Sequence, residues 1–141
     1  MSNWHVKQNV MQDYLQVCKE AAEDDKVFRY FKSDTRFTSI LEHCRVDIAT
    51  NYLNQIKKDN PNLLNIKSFK DNDKFGNAKL QSIKHNGQNY KYSTSTLQYI
   101  GVLSNLIKYL PSLNNMHIVE IGGGYGGQCK IIYDYFKPKS Y

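Results

Sequence analysis

Val119-Glu120-Ile121-Gly122-Gly123-Gly124-Tyr125-Gly126-Gly127 places five glycines in six consecutive positions, and its neighbours on either side decide how the chain reads. Ahead of the glycines, Met116-His117-Ile118-Val119-Glu120-Ile121 is short and β-branched, which predicts a buried parallel strand. Behind them, Gln128, Ile131, Ile132, Tyr135 and Phe136 predict a helix that Pro138 closes. Strand, glycine loop and helix, in that order, form the first half of a βαβ nucleotide-binding unit. The glycines let the backbone turn sharply and let a ligand approach atoms that a Cβ would shield. The start of the helix presents amide donors with no partner of their own.

Two ligand patterns fit this loop at once. Gly122, Gly124 and Gly127 satisfy the G-x-G-x-x-G of dinucleotide-binding folds. Glu120, Gly122, Gly124 and Gly126 satisfy E-x-G-x-G-x-G, which resembles motif I of class I methyltransferases. The residue that weighs between them is Glu120. A carboxylate sits badly beside a pyrophosphate, whereas S-adenosylmethionine carries an ammonium and a sulfonium that a carboxylate stabilises directly or through water. A third reading is a turn with no ligand, yet each glycine weakens local structure by up to about 1 kcal/mol relative to alanine, and a mere turn rarely needs so many. A P-loop is excluded, because no Gly-Lys-Ser or Gly-Lys-Thr follows.

Upstream, Val10, Met11, Tyr14, Leu15, Cys18, Ala21 and Ala22 predict an amphipathic helix over residues 7–23, interrupted by Glu23-Asp24-Asp25. A longer helix is expected over residues 36–58, with the stripe Phe37, Ile40, Leu41, Cys44, Ile48, Tyr52, Leu53 and Ile56. Asp34 or Thr35 can cap its start, Asn60-Pro61 ends it, and the first helix is the nearest surface for it to pack on. Asn86-Gly87 tolerates positive φ and marks a hairpin turn between residues 80–84 and 88–92. Ser93-Thr94-Ser95 offers N-caps for a helix carrying Leu97, Ile100, Leu103, Leu106, Ile107 and Leu110, stopped by Pro111. The fold class is therefore α/β. Residues 1–92 form a mainly helical accessory region with a small hairpin near 80–92, and residues 93–141 form the start of a Rossmann-like, S-adenosylmethionine-binding domain.

Composition bounds the function. The hydrophobic share of 40% and charged share of 23% are ordinary for a globular chain, and 11 tyrosines and 6 phenylalanines supply core material. No apolar run approaches the roughly 20 residues that cross a bilayer. The N-terminus lacks the apolar core of a secretory signal, so the expected address is the cytoplasm. Cys18, Cys44 and Cys129 fall in apolar patterns without metal-ligand spacing, and His5, His43, His85 and His117 are scattered, so no metal is expected. The net charge of +6 comes from dispersed lysines rather than a basic face interleaved with aromatic platforms, which argues against a nucleic-acid partner.

With these residues in view, the chain is similar to the sugar O-methyltransferase family. The segments that carry the resemblance are Phe31-Lys32-Ser33-Asp34, Ile40-Leu41-Glu42-His43, the loop from Asn72-Asp73 to Gly76-Asn77, Ser95-Thr96-Leu97-Gln98-Tyr99-Ile100, and Ile118 through Gln128. They span about residues 28–141, and the glycine segment is the most specific of them. The resemblance implies methyl transfer from S-adenosylmethionine to a sugar hydroxyl, on a glycan or a nucleotide-linked precursor. It maps Glu120, Gly122, Gly124 and Gly126 onto the donor site, with Tyr125 and Gln128 as secondary contacts. Lys32, Asp34 and Arg36 are polar enough to touch sugar hydroxyls, although helix capping and a solvated face are the simpler account of them. No residue is assignable as the general base. Two other classes stay open: a non-enzymatic helical interaction module, and a fragment that binds an NAD(P)-type dinucleotide.

Only 20 residues follow Ile121, whereas each βαβ unit takes about 30. The expectation is an incomplete methyltransferase domain that binds the donor weakly and does not turn over. A lone strand over 116–121 would leave backbone groups unpaired on both sides, favouring self-association or pairing with a missing C-terminal half.

Overall fold

A computed structural model describes the backbone of residues 3–41, 45–85 and 87–141, and the side chains of these residues except 3–8 and 85. It is a mixed, mostly helical fold with one two-stranded sheet, arranged as two compact units whose segments alternate along the chain.

The first unit takes residues up to Val46 together with Asp73–Ser95. It contains α1 (Asn3–Glu23), α2 (Asp25–Phe28), a 3-10 turn over Phe31–Ser33, α3 (Thr35–Thr38), and the hairpin strands β1 (Gln81–His85) and β2 (Gln88–Tyr92). On α1 the buried face is Tyr14, Val17 and Ala21, spaced as one side of a helix, while Met11 and Leu15 of the expected stripe are exposed. The Tyr14 ring lies 5.6 Å from that of Phe37, and Phe31 meets Phe37 edge-on at 4.9 Å, so a small aromatic core closes the unit. Gly76 is needed here: its φ is +77°, and a Cβ would sit 2.6 Å from Cε1 of Phe31. The hairpin forms where Asn86-Gly87 placed it, antiparallel with Ile83 opposite Tyr90. Gly87 takes φ +76°, and Asn86 lies outside the described residues.

The second unit comprises Asp47–Asn72 and Thr96–Tyr141. Its helices are α4 (Val46–Asp59), α5 (Thr94–Tyr109) and α6 (Gly127–Tyr135), with 3-10 turns over Pro61–Asn65 and Lys67–Asp73. Leu53, Ile56, Phe69, Leu97, Ile100, Leu103 and Ile131 are fully enclosed in its core. Asn60, just past α4, donates its side-chain amide to the backbone carbonyl of Ser104 in α5 at 3.1 Å, and Tyr52 of α4 packs on Gly101, where a Cβ would strike its ring.

Two expectations are corrected. The single helix over 36–58 is instead α3 and α4, separate elements whose apolar residues bury in different units: Phe37 in the first, and Ala49, Leu53 and Ile56 in the second. The apolar period continues through both pieces, which is why the sequence reads as one helix. Ile48, inside that stripe, is 42% exposed, and Cys44 lies outside the described residues. The buried strand over 116–121 does not form either. Residues 115–118 run parallel to 137–140, joined by Asn115 N to Lys137 O at 2.9 Å, Lys139 N to Met116 O at 2.8 Å and Ile118 N to Ser140 O at 3.0 Å. Past Ile118 the ladder stops among the described residues, and Val119 and Ile121 are 89% and 98% exposed. A strand is buried by neighbours on its faces and edges, and among the described residues one edge alone is paired here. No described helix is long and apolar enough to cross a membrane.

Candidate functional site

The glycine loop owes its path to three residues in left-handed backbone: Gly122 (φ +80°), Gly124 (φ +54°) and Gly126 (φ +85°). A Cβ at Gly122 or Gly126 would meet only open space, so conformation rather than crowding selects glycine there. The Gly126 amide donates to Gly123 O at 2.9 Å, closing the turn that launches α6.

Beside this turn lies a cleft of about 560 Å³, lined by Ile118, Val119, Glu120, Gly123, Gly124, Gly126, Cys129, Ser140 and Tyr141. Among the described residues of that lining, Glu120 is the single charged side chain. Its Oε2 accepts a 3.0 Å hydrogen bond from the Tyr141 hydroxyl. Burial, and then that hydrogen bond to Glu120, push the Tyr141 phenol well above the ordinary tyrosine range. The Cys129 thiol is likewise pushed up, by burial first and by the charge of Glu120 second, which keeps it in the poorly nucleophilic protonated form.

Of the residues singled out from the sequence, Glu120, Gly124 and Gly126 line the cleft, and Gly122 shapes its approach through backbone conformation. Tyr125 and Gln128 turn towards α5 instead. The Tyr125 ring meets Tyr99 edge-on at 6.2 Å, and its hydroxyl lies 3.4 Å from the Asn72 amide, which donates to Thr96 Oγ1 at 2.9 Å. Gln128 is 7% exposed and donates to the Tyr99 carbonyl at 3.3 Å. Between them, Gly127 sits so close under Tyr99 that a Cβ would lie 2.4 Å from its Cε2. These contacts fasten the loop to α5. Asn72, Thr96, Tyr99 and the glycine loop thus converge within one unit.

Sequence reasoning missed Cys129, Ser140 and Tyr141 as lining residues. Cys129 reads as a core hydrophobe, and the other two enter the cleft only because residues 137–140 pair with 115–118.

Lys32, Asp34 and Arg36 lie in the first unit. Asp34 caps α3, its Oδ1 accepting from Arg36 N at 2.8 Å. Arg36 closes ion pairs to Glu20 at 2.9 Å and Asp34 at 2.8 Å. Lys32 is 2% exposed, with its Nζ 5.9 Å from the centre of the Phe31 ring. Capping engages Asp34, and the ion pairs engage Arg36. Among the described residues, no group of three or more His, Cys, Asp or Glu is placed to hold a metal.

No family model, curated protein or solved structure matches the chain.

Proposed function

We propose that the cleft beside the glycine loop binds S-adenosylmethionine as the donor site of a Rossmann-like methyltransferase whose acceptor is a sugar hydroxyl. The observation that carries this reading is the charge of the cleft: among the described residues of its lining, one acidic side chain, Glu120, and no basic one. A dinucleotide would set its negatively charged diphosphate near that carboxylate in a partly desolvated site, where like charges repel most strongly. The ammonium and sulfonium of S-adenosylmethionine reverse the sign of that interaction.

The volume of about 560 Å³ is in the range of roughly 300–1,000 Å³ usual for cofactor clefts. Gly123, Gly124 and Gly126 keep the wall low enough for close approach to the backbone. The parallel pairing of 115–118 with 137–140, on either side of the loop and α6, has the connectivity of a βαβ crossover and supports the Rossmann-like reading. When bound, the donor supplies an electrophilic methyl group on its sulfonium. The chain's own part is to hold the cation at Glu120 and to keep Cys129 protonated beside it. Transfer further requires an aligned hydroxyl and a base to take its proton. No lining residue is assigned that role, and the sugar as acceptor rests on the family resemblance.

Titration of the isotopically labelled chain with S-adenosylmethionine and with NAD, followed by amide NMR, tests the reading. Shifts at Gly123, Gly124 and Gly126 with a Kd of about 1 mM or tighter are expected for S-adenosylmethionine, and Glu120→Gln should move the titration to measurably weaker binding. A preference for NAD that survives Glu120→Val would establish the dinucleotide class instead.

A further inference from the structure

We infer that Tyr141 is a positioning residue of the donor site, holding the Glu120 carboxylate by one oxygen so that the other faces the ligand's ammonium group; the inference rests on the S-adenosylmethionine reading above. The argument begins with the backbone. Ser140 accepts from Ile118 N at 3.0 Å, the last rung of the parallel pairing. Tyr141 is one residue past that rung and Glu120 two past it on the neighbouring segment, so their side chains meet across the cleft. The Tyr141 hydroxyl reaches Glu120 Oε2 at 3.0 Å, and no other described residue hydrogen-bonds to the carboxylate. The Tyr133 ring, 6.2 Å from that of Tyr141, flanks the tyrosine from α6.

A glutamate on a loop has three rotatable bonds and loses its rotamer freedom when a ligand immobilises it. A tyrosine that already holds one oxygen has met much of that cost before binding, which is the general advantage of preorganisation. The tyrosine hydroxyl is neutral, so it fixes the carboxylate without cancelling the charge that attracts a cation. An arginine or lysine in the same place would do the first and defeat the second.

The test uses three probes on the 141-residue chain and its variants: S-adenosylmethionine, S-adenosylhomocysteine, which keeps the ammonium, and 5′-methylthioadenosine, which lacks it. Tyr141→Phe removes one hydroxyl and keeps the ring. It should weaken the two amino-acid-bearing ligands about 5- to 10-fold and leave methylthioadenosine unchanged, a pattern that general loosening of the fold would not produce. The double variant with Glu120→Gln should be no weaker than Glu120→Gln alone, because both changes remove one coupled unit. Circular dichroism and thermal melting of Tyr141→Phe check that the fold is kept. If Glu120→Gln weakens binding while Tyr141→Phe does not, or if Tyr141→Phe weakens all three ligands equally, the positioning role is overturned and the donor reading stands. If the wild-type chain binds none of the three, both fall together.

Discussion

Gly127→Ala sets two effects of opposite sign against each other, and the structure says which wins. Gly127 is the first residue of α6, and an alanine inside a helix is favoured over glycine by roughly 0.5–1 kcal/mol. Against this, the new Cβ would lie 2.4 Å from Cε2 of Tyr99 and 3.0 Å from Cζ and Oη of Tyr125. Relief requires the Tyr99 ring to move by about 1 Å to reach van der Waals contact near 3.5 Å. That ring is held by the edge contact with Tyr125, and overpacking of this kind costs about 1–3 kcal/mol. The expected net result is a destabilisation of about 1–2 kcal/mol, read as a lower urea midpoint at unchanged m-value. Tyr99→Ala serves as the second arm of a double-mutant cycle: with the ring gone, Gly127→Ala should become neutral or stabilising. A single variant as stable as the wild type, or a cycle with no coupling, would refute the claim that Tyr99 and Tyr125 clamp the loop through Gly127.

Two further outcomes follow from the polar groups. Asp34→Ala should destabilise by about 1 kcal/mol through loss of the α3 cap, while Asp34→Asn, which still caps, isolates the charge. Hydrogen bonding from Arg36 holds the Asp34 carboxyl below its ordinary range, so this contribution is present above about pH 4 and is lost as pH falls through the lowered value. Acid titration of stability should therefore be flatter for Asp34→Asn. In the cleft beside the glycine loop, Cys129 should react with iodoacetamide at pH 8 more slowly than a free thiol, because its thiolate is disfavoured by burial and by Glu120. Bound S-adenosylmethionine should slow it further, as measured by mass spectrometry of the alkylated peptide.

The parts of this architecture that local chemistry determines were legible in the residues. The hairpin followed from the φ that Asn86-Gly87 permits, and α5 from its spaced leucines and isoleucines between Ser93-Thr94-Ser95 and Pro111. The loop's shape followed from glycines at 122, 124 and 126, each of which adopts left-handed backbone. What depended on distant partners was not legible. An apolar period cannot say that Phe37 joins Phe31 and Tyr14 while Leu53 joins a different core. Nor does β-branching guarantee a strand: Val119 and Ile121 have the residue type and lack the neighbours. Tyr125 and Gln128 look from the sequence like ligand contacts because they sit in the motif, yet their side chains serve α5. Tyr141 carries no motif at all, and its place beside Glu120 follows only from the pairing of 115–118 with 137–140.

The alternation of segments bears on how this protein is made. A ribosome releases Asp47–Asn72 well before Thr96–Tyr141, yet both belong to one core. At roughly 5–20 residues per second, Leu53, Ile56 and Phe69 wait several seconds for the segments bearing Leu97, Ile100, Leu103 and Ile131. During that interval the nascent chain displays an uncovered amphipathic helix, the kind of surface that chaperones hold. Pairings between segments so far apart also form slowly in free solution, because loop closure must precede the contacts that reward it. Newly made chain should accordingly depend on holdase capacity more than its modest length suggests.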